Sequence, residues 1–256
     1  FETITLRRNG SFTDAERDAV QSTVRELVGT NIFAESDAEI TIRHLLDTSS
    51  VSVRQSVVQL QHVIVPLLGD ATETFLDPAD KDTGICDRAT EAYRSVEMVT
   101  RHFFRSLISY AELDELGVSR PELFAYYQTT THLESVIEQA VSIAEMQEHH
   151  SEPVPEEFVV DVRSVADDVA CAVDNAVTAV LNEDITEGQQ ARKRCDDAIK
   201  RIETAEQRLY NGTVSDPAQA VAISTTLTHL RRVATHSCSI ADIAKRTAIR
   251  ANNIDL

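Results

Sequence analysis

Apolar positions along this chain repeat at two different periods. Between Glu2 and Arg8 they alternate with polar ones (Thr3, Ile4, Thr5, Leu6), the spacing of a half-buried strand, and Asn9-Gly10-Ser11 has turn chemistry. Thr13 then predicts a helix cap, with Glu16 three residues on as its capping-box partner and Ala15, Ala19, Val20, Val24, Leu27 and Val28 along the helix until Gly29 ends it. Ile32-Phe33 and Glu39-Ile40-Thr41-Ile42 read as two short strands around a Ser36-Asp37 turn. From Val51 the period becomes helical and stays so. The pattern predicts six long helices: Val53 to Leu76, Ile85 to Ile108, Glu122 to about Gln147, Pro155 to Leu181, Thr186 to Tyr210, and Pro217 to about Ala251. Pro66 falls inside the first and predicts a kink there. Residues 114 to 121 read as a connector, and His149 to Pro153 as a linker.

The helical part is duplicated. Thr129 to Glu145, TTTHLESVIEQAVSIAE, returns ninety-seven residues later as Thr226 to Asp242, TLTHLRRVATHSCSIAD, with eight identities in seventeen positions. They include His132/His229, Leu133/Leu230, Val136/Val233 and Ile143/Ile240. Cys86-Asp87-Arg88-Ala89 likewise returns as Cys195-Asp196-Asp197-Ala198. The expected fold is mainly α: two tandem three-helix bundles, residues 50–150 and 154–252, preceded by a small α+β segment over residues 1–46. Seven Gly, six Pro and no Trp leave little punctuation for a many-stranded sheet.

Composition adds a habitat and removes some partners. The formal net charge is −18, and only Lys81, Lys193, Lys200 and Lys245 are lysines against twenty arginines. An acidic, lysine-poor chain is expected of a salt-in halophile, where molar salt screens self-repulsion within about 3 Å. The same charge disfavours contact with nucleic acid phosphates, so these residues are not expected to bind DNA. No apolar run nears the roughly 18 residues a membrane span requires, which predicts a cytoplasmic protein without membrane insertion. Cys86, Cys171, Cys195 and Cys238 form no Cys-x-x-Cys pair, and all four are expected to be buried reduced thiols.

Candidate chemistry lies on one half. Asp87 and Glu91 are one turn apart on the second long helix, and Glu134 and Glu138 one turn apart on the third. Four carboxylates on neighbouring helices suit a hard or borderline cation such as Mg, Mn, Fe or Zn; a solvated acidic face is the other reading. The second half carries Asp196, Lys200, Arg231 and Thr235 at the matching positions, so any metal site is expected on one side only. His229 and His236, seven apart and near Cys238, are either zinc ligands or structural hydrogen-bonding groups. No Glu-x-x-His, phosphate-binding loop, dinucleotide fingerprint or nucleophile motif occurs, and the chain is not expected to be an enzyme.

A duplicated three-helix unit whose halves close on Leu133-Glu134-Ser135-Val136-Ile137-Glu138-Gln139-Ala140-Val141-Ser142-Ile143-Ala144-Glu145 and, more weakly, Leu230 to Asp242 resembles the PhoU family of phosphate-uptake regulators. The resemblance spans about residues 50 to 250. It implies iron or zinc clusters held by acidic pairs on the second and third helices, which here are Asp87 with Glu91 and Glu134 with Glu138, Glu replacing the final Asp in both. It also implies a homodimer that relays phosphate sufficiency to the ATPase of a phosphate ABC transporter. The stretch from Ser36 to Val57 is similar to archaeal members that carry an AbrB/SpoVT-like DNA-binding domain upstream, and the chain, opening on Phe1, is expected to be a fragment lacking it. The implied function is the sensory and interaction part of a transcriptional regulator. The alternatives are a helical metal-binding or storage-like protein, and a regulator of similar build with a different input.

Overall fold

The computed structural model describes residues 3–26, 30–44, 52–77, 84–149, 154–211, 214 and 216–254. Strands β1 (Thr3–Arg7), β2 (Thr30–Glu35) and β3 (Glu39–His44) form an antiparallel sheet in the order β1-β3-β2. β3 is central, pairing Ile42 with Ile4 on one side and Ile32 on the other, and its Ile40 is buried. The β2–β3 ladder shifts by one between Ile32 and Ala34, and Phe33, in the bulge, lies exposed beneath the Arg43 guanidinium. Helix α1 (Asp14–Glu26) starts as its sequence predicts: Glu16 accepts from the Thr13 amide at 2.8 Å and the Glu16 amide donates to Thr13 Oγ1 at 3.4 Å. Arg17 then donates to the Ser36 carbonyl at 3.1 Å and pairs with Glu35, tying α1 to the hairpin. The predicted stop at Gly29 lies outside the described residues.

The bundles follow the helical period closely. Helix α2 (Val53–Leu76) is capped by Ser52 and holds Pro66 inside it, where one helical hydrogen bond has no donor. Helix α3 (Ile85–Ile108) leaves Gly84 at φ 60°, a left-handed residue that glycine takes without strain. The connector expected over residues 114 to 121 is partly helical: α4 (Tyr110–Leu116) is a short helix closed by Gly117 at φ 63°. Burial of Leu116 and Glu112 against the first bundle orders it, a contact that no local periodicity announces. Ser119 and Glu122 make a complete capping box with Pro121 beside it, so α5 (Arg120–Glu145) begins two residues earlier than expected. Helices α6 (Glu156–Asn182), α7 (Ile185–Tyr210) and α8 (Pro217–Ile254) complete the second bundle.

Helices α2, α3 and α5 pack as one bundle and α6, α7 and α8 as the other. The bundles meet through α5 on α8 and α2 on α6. One continuous apolar core runs through both, from Leu60, Leu68, Phe75 and Leu133 in the first to Phe158, Val173, Ile202 and Leu230 in the second. Polar contacts along α2 and α6 fix their register. The Gln61 side-chain amide donates to Asp174 Oδ1 at 2.8 Å and to Thr178 Oγ1 at 2.9 Å, and Arg163 grips both Glu73 oxygens at 2.6 and 2.7 Å. This bidentate pair holds the Glu73 carboxyl below its ordinary value, chiefly through the Arg163 hydrogen bond.

Candidate functional site

The duplicated helices α5 and α8 face each other, and their shared residues build the junction. His132 and His229 occupy equivalent positions, as do Gln139 and His236. In the fold His132 Nδ1 lies 3.2 Å from His236 Nδ1, and His229 Nδ1 donates to Gln139 Oε1 at 2.8 Å. Each equivalent position therefore pairs with the other position of the opposite repeat. The helices are antiparallel and related by an approximate two-fold axis, the consequence of packing a duplicated amphipathic face against its own copy. His229 and His236 are thus placed in separate contacts with α5. The His132–His236 meeting was missed because periodicity places a residue on a helix face without saying which helix it meets. The ninety-seven-residue repeat was the available signal.

Burial is the main cause that holds His132, His229 and His236 below the ordinary imidazole value. The His236 charge opposes His132, Arg232 opposes His229, and Glu138 partly favours protonated His236. With folded values below the ordinary 6.5, the unfolded chain takes up protons first. This stability is fully present above about pH 6.5 and is lost as the pH falls below it. Urea midpoints measured between pH 5 and 8 are expected to fall on the acidic side, and changing His132 and His236 to Gln should flatten the profile. An equally steep profile in that double variant would assign the dependence to other groups.

The four predicted carboxylates lie in different surroundings. Glu134 is half-buried, and its carboxyl is raised above its ordinary value by that burial first and by the Glu138 charge second. Tyr93 of α3 is their neighbour; its phenol is pushed up by burial and then by Glu138 and Glu134. Asp87 lies instead at the start of α3, in an open surface cleft of about 330 Å³ shared with Cys86, Glu145, Gln147 and Glu148. Glu91 is exposed. Among the described residues no three His, Cys, Asp or Glu side chains are arranged to hold a metal ion.

The matching face of the second bundle neutralises itself. Arg231, where the first bundle has Glu134, reaches Glu206 at 2.5 Å; Asp196 takes the Arg192 guanidinium at 3.3 Å; and Lys200 approaches Asp197 at 3.4 Å. Like charges thus meet in one repeat and opposite charges in the other.

The cysteines divide into two classes. Cys195 and Cys238 are buried as expected, but Cys86 and Cys171 are exposed. Cys86 falls in the first turn of α3, at the cleft, and Cys171 points away from the flanking core residues Val169, Ala172 and Val173 toward Arg194, whose Nη1 lies 2.7 Å from its sulfur. An apolar neighbourhood in sequence includes both faces of a helix, and only one of them is core.

Another surface stands out at the opposite end of α3. Phe103 stacks on Tyr127 with ring centroids 4.1 Å apart, Phe104 and Phe124 pack at its edges, and Phe104, Leu107, Ile108 and Tyr110 are exposed. Among the described residues no helix is long and apolar enough to cross a membrane.

Comparison with protein-family models and with curated protein sequences finds no match. Among solved structures the chain is similar to the crystal structure of PhoU from Pseudomonas aeruginosa, with a TM-score of 0.59 and 17% sequence identity. The similarity covers 78% of this chain and 96% of that one. Two three-helix bundles joined across a duplicated helix pair give this chain the PhoU fold.

Proposed function

We propose that this chain is a regulatory protein of phosphate uptake that acts by contact with other proteins and not by catalysis. The observation that carries the reading is the likeness to PhoU over nearly the whole of that chain, in a molecule whose own sequence is duplicated in register with the two bundles. The exposed aromatic and aliphatic side chains around Phe104 and Ile108 support an interaction role, since contiguous apolar surface of this kind is characteristic of protein contacts. In this reading the bundles transmit phosphate status to a DNA-binding domain, as a dimer or when docked to the transporter ATPase, by biasing an equilibrium between two arrangements.

Deletion of the gene in its native host tests the reading. Phosphate-transporter transcripts are expected to rise several-fold in phosphate-replete medium and to return on complementation; unchanged transcripts and uptake would sink it. Operator binding by the full-length protein with residues 50–256 removed tests the transcriptional part, which fails if affinity and phosphate response stay the same. Metal analysis separates the storage alternative. Stoichiometric iron or zinc that disappears in the Glu134→Ala, Glu138→Ala double variant, with transcripts unaffected by deletion, would favour it.

A further inference from the structure

The two buried cysteines of the second bundle meet each other. Cys195 on α7 and Cys238 on α8 are 0% and 7% exposed and form a small buried cluster with Ala172 of α6. Helices α7 and α8 run antiparallel here, with Arg192 bound to Asp242 at 2.6 Å and Arg231 to Glu206 farther along. They approach closely because small residues line the seam. A Cβ added at Gly188 would stand 3.4 Å from the Ala244 Cβ and 3.5 Å from the Ala241 carbonyl oxygen, and Ala191, Ala198, Ala234 and Ala241 are buried. Close helix backbones are what a bridge between facing cysteines requires.

The thiols are also chemically distinct. Cys238 accepts a hydrogen bond from Cys195, which holds Cys238 below the ordinary thiol value, and the Arg192 guanidinium adds to this. Cys195, the donor, is pushed up by the same bond and by burial. The Cys238 thiol donates to Asp196 Oδ1 at 3.9 Å, at the polar edge of the pair. Cys238, the less buried of the two and the one beside Arg192, is placed to react first, and Cys195 to respond.

We propose that Cys195 and Cys238 are an oxidisable dithiol, which a hydroperoxide converts to an intramolecular disulfide that staples α7 to α8. The Cys238 thiolate attacks the peroxide O–O bond; an S–O bond forms, the O–O bond breaks, and the leaving oxygen takes up the proton released from the thiol. With hydrogen peroxide the products are a sulfenic acid and water. Cys195 then loses its proton, its sulfur attacks the Cys238 sulfur, the S–S bond forms, and the S–O bond breaks with release of a second water. Two thiols are oxidised by two electrons and one peroxide is reduced. Because α8 also packs on α5 across the junction, the staple restrains the helix that both bundles share.

The test uses the full chain, reduced and then treated with hydrogen peroxide, with remaining thiols alkylated under denaturing conditions and mapped by mass spectrometry. The expected result is a peptide linking Cys195 to Cys238, an intact mass lower by about 2 Da in the Cys86→Ser, Cys171→Ser background, and reversal by dithiothreitol. In a further Cys195→Ser variant, Cys238 is expected to gain oxygen and form no link. If Cys195 and Cys238 of the unsubstituted chain stay alkylatable at a peroxide level that oxidises exposed Cys86 and Cys171, or if links form only between chains, the proposal is overturned.

Discussion

Replacing Glu112 with Ala is expected to destabilise the protein by about 3 kcal/mol, because it removes the acceptor of a buried hydrogen bond to a carboxylate and leaves the other group unpaired. Glu112 is 2% exposed, on α4, and its Oε1 lies 2.6 Å from Nδ1 of His102, itself 1% exposed on α3. Its second oxygen takes Arg105 at 3.0 Å. Without the carboxylate, the His102 ring keeps a buried Nδ1 with no acceptor beside an Nε2 that already lacks a partner among the described residues. Arg105 is 40% exposed on its side chain and can turn to water, which keeps the loss at the lower end of the range for buried pairs. Glu112→Gln retains shape and one acceptor and should lose about 1 to 2 kcal/mol. Replacing both His102 and Glu112 with Leu and Met should recover most of the loss, since an apolar pair leaves no buried polar group unpaired. Urea unfolding of the three variants makes the comparison. A loss below about 0.5 kcal/mol in Glu112→Ala would mean that water reaches the pair.

Leu133→Ala and Leu230→Ala are each expected to cost about 2 to 5 kcal/mol, and both should act on the same unfolding transition. The two leucines are repeat equivalents, fully buried in separate bundles, yet they belong to one apolar core that continues across α5 on α8 and α2 on α6. A cavity opened in either bundle weakens a core the other also uses, so protection of amide hydrogens in α2 and α7 should fall together in either variant. Two independent bundles predict otherwise: each variant would lower protection in its own half alone, and the urea curve would show two steps. That outcome would show that the junction is a docking surface and not a shared core.

The junction is also where sequence and structure part company. The resemblance to a family of regulators was visible in the duplicated helix, and the likeness in fold supports it for architecture. The carboxylates that the resemblance singled out were legible as two acidic pairs on α3 and α5, one turn apart in each. Whether such pairs converge depends on helix rotation and register, and here Asp87 sits at the cleft with Glu145 and Glu148 while Glu134 and Glu138 face Tyr93. A quartet drawn from spacing alone carries no information on those angles. The pairing of Cys195 with Cys238 was hidden for the same reason, being set by the close approach of α7 and α8 along Gly188, Ala241 and Ala244.

By itself the sequence determined everything that rests on local periodicity and capping. The strand, helix, hairpin order, the capping box at Thr13, the α3 limits Ile85 and Ile108, and the duplication all follow from interactions between residues fewer than about five apart or from comparison of the chain with itself. Only the tertiary structure decided which faces meet. It brought His132 to His236 and Cys195 to Cys238, buried Glu112 to make a helix of a connector, and left Cys86 and Cys171 in water. The physical reason is that helix packing is chosen by the fit of whole surfaces, which sums weak contacts over many residues, whereas a helix is chosen turn by turn.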